Sequence, residues 1–287
     1  MIFFYLLKAI FTYPNKIFLF KKNVSYKDKD FLIIKNNSIT LLSNLILKEI
    51  DIVLMQIKKE KEKRNIDNDR NYTFNIESFF SEKILREIEN SLKNAELINY
   101  ISNHFEYKIK FSQFQIRYNY FNSFSPSEYG PKMWHRDNDS LFNQLKFFLV
   151  LNDLTDDSGG HFYFIPQKII PGCKKIYSSY SDKENFSKAD KNSRIKNIDI
   201  EEKYKFKDNV IKYGADKSGA LVLDTNDTYH RGGYIKNKNS YRILLQVIYE
   251  PVYLSLSNYS KFYNNNFIYR YSKIFLLGLK NRLRSGI

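Results

Sequence analysis

The sequence predicts a mainly β protein, an antiparallel sandwich or barrel, behind a helical N-terminal flank. Three observations predict it. Between residues 114 and 120, Phe114, Ile116, Tyr118 and Tyr120 alternate with Gln115, Arg117 and Asn119, the period-two signature of a half-buried strand. Four further short stretches, 145–151, 161–165, 219–224 and 242–250, are apolar, with β-branched or aromatic residues. Turn signals such as Asp157-Ser158-Gly159-Gly160 and Arg231-Gly232-Gly233 separate them, as in all-β folds built from many short strands.

The elements follow in chain order. Residues 1–13 are almost wholly apolar, broken by Lys8 and ended by Pro14, and are expected to form a helix packed on the domain. The stretch is too short for a membrane span, which needs ~20 residues. It has neither a basic leading region nor a small-residue cleavage site, so a cytoplasmic location is expected. Residues 41–64 read as a helix, with Leu42, Ile46, Ile50, Val53 and Ile57 at helical spacing and a solvated charged run from Lys58 to Arg64. A polar loop at 65–71 leads to a second helix over 78–101, carrying Ile84, Ile88, Leu92 and Ile101. Residues 1–106 thus form a helical flank and 107–252 the β core. Residues 174–213 are polar and irregular and read as an insertion. Residues 253–287 form a basic tail, with an amphipathic helix over 272–284.

Charge and cysteine usage narrow the function classes. Lys and Arg number 46 against 31 Asp and Glu, for a formal charge of +15. Residues 1–24 and 251–287 carry ten basic residues and no acid, leaving +5 between them. Nucleic-acid binding is therefore not expected of the core. The two ends leave open peripheral contact with an anionic membrane surface, where each basic residue is worth ~1 kcal/mol. The lone cysteine, Cys173, excludes an internal disulfide framework and Cys-rich metal sites. Phosphate-cradling glycine motifs, a Gly-x-Ser-x-Gly elbow and a His-Glu-x-x-His zinc motif are all missing.

The chemistry gathers on histidine. His135 and Asp137 stand as His-x-Asp in Trp134-His135-Arg136-Asp137. On extended backbone, residues i and i+2 point to one side, so an imidazole and a carboxylate can share a metal. His230 closes a later apolar stretch, and Arg242 follows twelve residues on, in a new strand. Two histidines and one carboxylate on one face of a metal leave three positions open, the facial triad of non-heme Fe(II) oxygenases. His161, after the Gly-Gly turn, and Trp134 read as structural, and His104 as a helix cap or surface residue. Cys173 reads as inert.

These stretches resemble the phytanoyl-CoA dioxygenase family of Fe(II)/2-oxoglutarate oxygenases over about residues 115–250. The likeness lies in Trp134-His135-Arg136-Asp137, in Leu151-Asn152-Asp153-Leu154-Thr155 with Gly160 and Ile165-Pro166, in the run from Gly219 through His230-Arg231-Gly232, and in Tyr241-Arg242-Ile243. Gln115-Ile116-Arg117-Tyr118-Asn119-Tyr120 is similar to the cosubstrate-flanking strand of ectoine hydroxylases. Gln167-Lys168-Ile169 and Gly232 depart from the family pattern.

The resemblance implies a double-stranded β-helix, that is, a jelly-roll or cupin-like core. It implies His135, Asp137 and His230 as Fe(II) ligands, with Arg242 pairing the far carboxylate of 2-oxoglutarate and Gln115 and Asn119 donating to that cosubstrate. The implied reaction consumes O2 and 2-oxoglutarate, releases succinate and CO2, and hydroxylates a small-molecule or lipid-like substrate. Asp137 favours hydroxylation, since related halogenases lack the carboxylate. The alternative is a non-catalytic jelly-roll binding protein. Substrate identity and oligomeric state stay open.

Overall fold

The computed structural model describes residues 30–64, 73–106, 108–123, 132–137, 144–166, 195–200, 206–214, 219–225 and 228–251. The expectations for the apolar N-terminus, the 65–71 loop, the 272–284 helix, Cys173 and residues 167–194 lie outside them. Among the described residues no helix is long and apolar enough to cross a membrane.

The chain opens with β1 (Phe31–Ile34), then helices α1 (Asn37–Leu47) and α2 (Ile50–Arg64). Asn36 caps α1 by accepting a hydrogen bond from the Ile39 N–H at 3.1 Å, satisfying one of the donors that every helix start exposes. The expected 41–64 helix is therefore two helices, and the first begins earlier. Nothing in the composition marks the break, which holds neither Gly nor Pro. Glu49 sits in it and accepts from the Ser81 N–H at 2.8 Å, pinning the turn to the next helix pair.

After β2 (Thr73–Asn75) come α3 (Glu82–Leu92) and α4 (Ala95–Phe105). The expected 78–101 helix is likewise two. Asn94 stops the first and caps the second through its side chain and the Glu96 N–H at 2.7 Å. His104 is neither cap nor bare surface: its Nε2 lies 2.9 Å from the Phe31 carbonyl oxygen and ties α4 to β1.

The remaining strands are β3 (Ile109–Tyr120), β4 (Leu145–Val150), β5 (Phe162–Ile165), β6 (Ile211–Tyr213), β7 (Ala220–Asp224), β8 (Tyr229–Gly232) and β9 (Tyr241–Pro251). They form a six-stranded sheet in the order β1-β7-β4-β9-β3-β2 and a three-stranded sheet in the order β6-β5-β8. Every strand pair is antiparallel. His135 bridges His230 of β8, extending the small sheet by one position. From β3 onward the chain passes repeatedly between the two sheets, which is the winding of a double-stranded β-helix, or jelly roll. The β1 and β2 strands, inside the stretch read as a helical flank, lengthen the large sheet. Residues 211–213, inside the stretch read as an insertion, supply β6.

Strand alternation then sorts the cores. One face of the large sheet, with Ile116, Leu145, Phe147, Leu149, Val222, Ile243, Leu245 and Val247, packs against the four helices through residues such as Ile46, Ile57, Ile88 and Ile101. The other face presents Phe148, Val150, Leu221, Leu223 and Leu244 to Phe162, Phe164 and Tyr213 of the small sheet. Behind the small sheet, Trp134, Ile165 and Tyr229 are covered by Ile195 and Ile200. Trp134 is thus a core residue, as expected, and its Nε1 donates to the Asn197 Oδ1 at 2.9 Å.

Candidate metal centre

The site forms where the two sheets open beside β8. His135 and His230 exchange backbone hydrogen bonds, each N–H reaching the other's carbonyl at 2.9 Å. That narrow antiparallel pair brings the rings to 4.4 Å between centroids. Both rings are then oriented by one device. His135 Nδ1 lies 2.7 Å from the Met133 carbonyl oxygen, and His230 Nδ1 lies 3.0 Å from the Thr228 carbonyl oxygen. A carbonyl only accepts, so each Nδ1 carries a proton, and the neutral form of each ring, the form that binds a metal, presents its Nε2 lone pair inward. Such partners fix tautomer and ring orientation in metal-binding histidines. Phe162 stacks on the His230 ring at 5.5 Å and limits its rotation.

Asp137 completes the group. Its N–H donates to the Thr225 carbonyl at 2.8 Å, which anchors the backbone beside β7. Its Oδ1 lies 3.8 Å from His135 Nε2 and its Oδ2 lies 3.7 Å from His230 Nε2. One ligand atom from each of the three residues falls within 4.8 Å of the others. Burial pushes the Asp137 carboxyl up, but His230, Lys146 and His135 outweigh it and hold the group below the usual carboxylate range. It is therefore ionised, as a metal ligand must be. Two imidazole nitrogens and one carboxylate, converging from one side, fit a divalent transition metal with positions left open.

Lys146 was not among the expected site residues. It sits on the inner face of β4, and its Nζ lies 2.7 Å from Asp137 Oδ2. The signal was present: Lys146 is the sole charge in the run Leu145-Lys146-Phe147-Phe148-Leu149-Val150-Leu151, and a lysine is seldom buried unless paired.

Arg242 and Asn119 meet on the same inner face. They are register partners across β3 and β9. Arg242 Nε donates to Asn119 Oδ1 at 3.0 Å, and its Nη1 donates to the Gly160 carbonyl at 2.5 Å. Gly160 takes φ +82°, and a Cβ there would lie 2.6 Å from Ile235 Cδ1, so the carbonyl is presented from a turn that only glycine fits. Asn152, also unforeseen, pins the start of β9: its Oδ1 accepts from the Ile243 N–H at 2.7 Å and its Nδ2 donates to the Tyr241 carbonyl at 2.9 Å. Gln115 lies on the same row of β3 but opposite Gln246, four residues from Asn119, or roughly 13 Å along a strand. Its Oε1 accepts from Arg117 Nε at 3.1 Å. The structure therefore brings Asn119 to Arg242 and leaves Gln115 apart. His161 is buried at the start of β5 and lies outside the metal-ligand group.

No protein-family model matches the chain, and no curated protein matches it. Its structure is similar to that of the non-heme α-ketoglutarate dependent epimerase SnoN from nogalamycin biosynthesis, at 9% identity, covering 78% of this chain and 79% of that one, with a TM-score of 0.45. It is similar to EctD from S. alaskensis with 2-oxoglutarate and 5-hydroxyectoine, at 10% identity, 79% and 73% coverage and a TM-score of 0.43. It is also similar to HygX from Streptomyces hygroscopicus with nickel and 2-oxoglutarate bound, at 10% identity, 79% and 85% coverage and a TM-score of 0.42.

Proposed function

We propose that this chain is an Fe(II)- and 2-oxoglutarate-dependent dioxygenase that hydroxylates a small-molecule or lipid-like substrate and releases succinate and CO2. The observation that carries the reading is the convergence of His135, Asp137 and His230 within 4.8 Å, with both histidines held through Nδ1 so that Nε2 faces the shared point. His135, His230 and Asp137 would hold the iron, which supplies the activation of dioxygen when bound.

The chain's own residues do the rest. Arg242 offers a planar fork, permanently charged, to the far carboxylate of the cosubstrate. Gly160 accepts from Arg242, and Gly160 lies four residues before Phe164, the register partner of His230. At strand rise this spans at most about 13 Å. Asn119 holds the fork in plane, and Gln115 remains a candidate for contacts further along the same row. The apolar residues between the sheets, Phe148, Phe162, Phe164 and Leu244 among them, keep water from the reacting centre.

The test is O2 uptake and succinate release with Fe(II) and 2-oxoglutarate, in the slow turnover that proceeds without substrate. Wild type is expected to release succinate, and His135→Ala to fall at least ~100-fold, beyond the loss usual for residues that only support ligands. Equal rates in the two proteins would overturn the reading.

A further inference from the structure

The placement of Asp137 leaves a question that Lys146 answers. Each carboxylate oxygen faces a histidine nitrogen: Oδ1 is 3.8 Å from His135 Nε2 and Oδ2 is 3.7 Å from His230 Nε2. The histidines alone therefore do not decide whether Asp137 binds a metal through one oxygen or both. The torsion that would swing the carboxylate is soft. Lys146 breaks the symmetry. Its ammonium lies 2.7 Å from Oδ2, the length of a charge-assisted hydrogen bond.

Lys146 is also costly where it stands. It is 8% exposed, and its register partners are Leu223 on β7 and Ile248 on β9. A buried ammonium is costly unless paired, and an apolar residue would fit this row with no such cost. Once a metal binds, Asp137 no longer needs a lysine as counter-ion, so charge balance alone does not account for it.

We propose that Lys146 is a positioning residue that sets the denticity of Asp137: by holding Oδ2 it leaves Oδ1 to bind the metal alone and keeps a third coordination position open. This rests on the metal-site reading above. A carboxylate bound through both oxygens would leave two open positions, too few for a chelating cosubstrate and dioxygen together.

The test uses Mn(II) as the probe. Directly bound water broadens the Mn(II) paramagnetic resonance lines in 17O-enriched water, so the broadening counts open positions. Wild type and Lys146→Arg, which keeps a charged donor, are expected to show three bound waters. Lys146→Met and Lys146→Leu, both apolar and suited to the row, are expected to show two, with 2-oxoglutarate binding to the Mn(II) protein weakened about 10-fold. Either apolar variant suffices if the other does not fold. Three waters in the apolar variants would overturn the role of Lys146 while leaving the metal site intact. Failure of wild type to bind Mn(II) would overturn the metal site and this inference together.

Discussion

Asn119 and Arg242 face each other across the antiparallel pair β3–β9, and the Arg242 Nε donates to the Asn119 Oδ1 at 3.0 Å with both residues buried. A guanidinium held in one plane can meet a carboxylate with two parallel bonds. Arg242→Lys keeps the charge but not the fork. Hydrogen bonds to charged groups are worth ~1.5–3 kcal/mol, so the 2-oxoglutarate Kd is expected to rise about 10- to 100-fold, with metal affinity unchanged. Asn119→Ala is expected to give the smaller part of that rise. Calorimetric titration of the Mn(II) protein with 2-oxoglutarate measures both. Unchanged affinity in Arg242→Lys would remove Arg242 from the cosubstrate site.

Tyr249 couples the helices to the large sheet. Its hydroxyl, on β9, donates to the Leu92 carbonyl at the end of α3 at 3.0 Å. Burial pushes this phenol's pKa up, so it stays a donor at any pH at which the protein is handled. Tyr249→Phe leaves the carbonyl buried without its partner and is expected to cost ~1–3 kcal/mol. Urea unfolding followed by circular dichroism checks it, and a loss below about 0.5 kcal/mol would mean that another donor replaces the phenol.

Lys132 predicts a pH dependence of stability. Burial lowers its pKa from 10.5 to about 8. Between those values the unfolded chain binds more protons than the folded one, so this group makes stability rise with pH through that window. Lys132→Met removes this titrating amine. Unfolding free energies at the two ends of the window, for wild type and variant, should show a steeper rise in wild type. Parallel curves would contradict the burial of this amine.

Much of this architecture is legible in the sequence, and the misses have physical reasons. Alternation identifies β3 because Ile116, Tyr118 and Tyr120 join the core on the helix side while Gln115, Arg117 and Asn119 between them are polar. The β4, β5, β7 and β9 strands are legible as apolar runs between turns. Ile211-Lys212-Tyr213 and Tyr229-His230-Arg231-Gly232 are too short to display a period, and β6 and β8 exist only because β5 pairs with both. The helix breaks at Lys48-Glu49 and Lys93-Asn94 leave the apolar spacing intact on either side, so periodicity overlooks them. His135, Asp137 and His230 could be singled out from spacing, and Asn119 and Arg242 from the family resemblance. The contacts of Lys146 and His104 depend on which face of a strand or helix meets which partner, and that is a property of the assembled fold.

We propose that His135, Asp137 and His230 hold one iron that 2-oxoglutarate chelates. The most direct measurement is the visible absorption of the anaerobic protein after addition of Fe(II) and then 2-oxoglutarate. Wild type is expected to develop a metal-to-cosubstrate charge-transfer band, and His230→Ala is expected to show none. A wild-type protein that takes up no Fe(II) and shows no band, or a His230→Ala protein whose band is undiminished, would mean that these residues do not hold a cosubstrate-chelated iron.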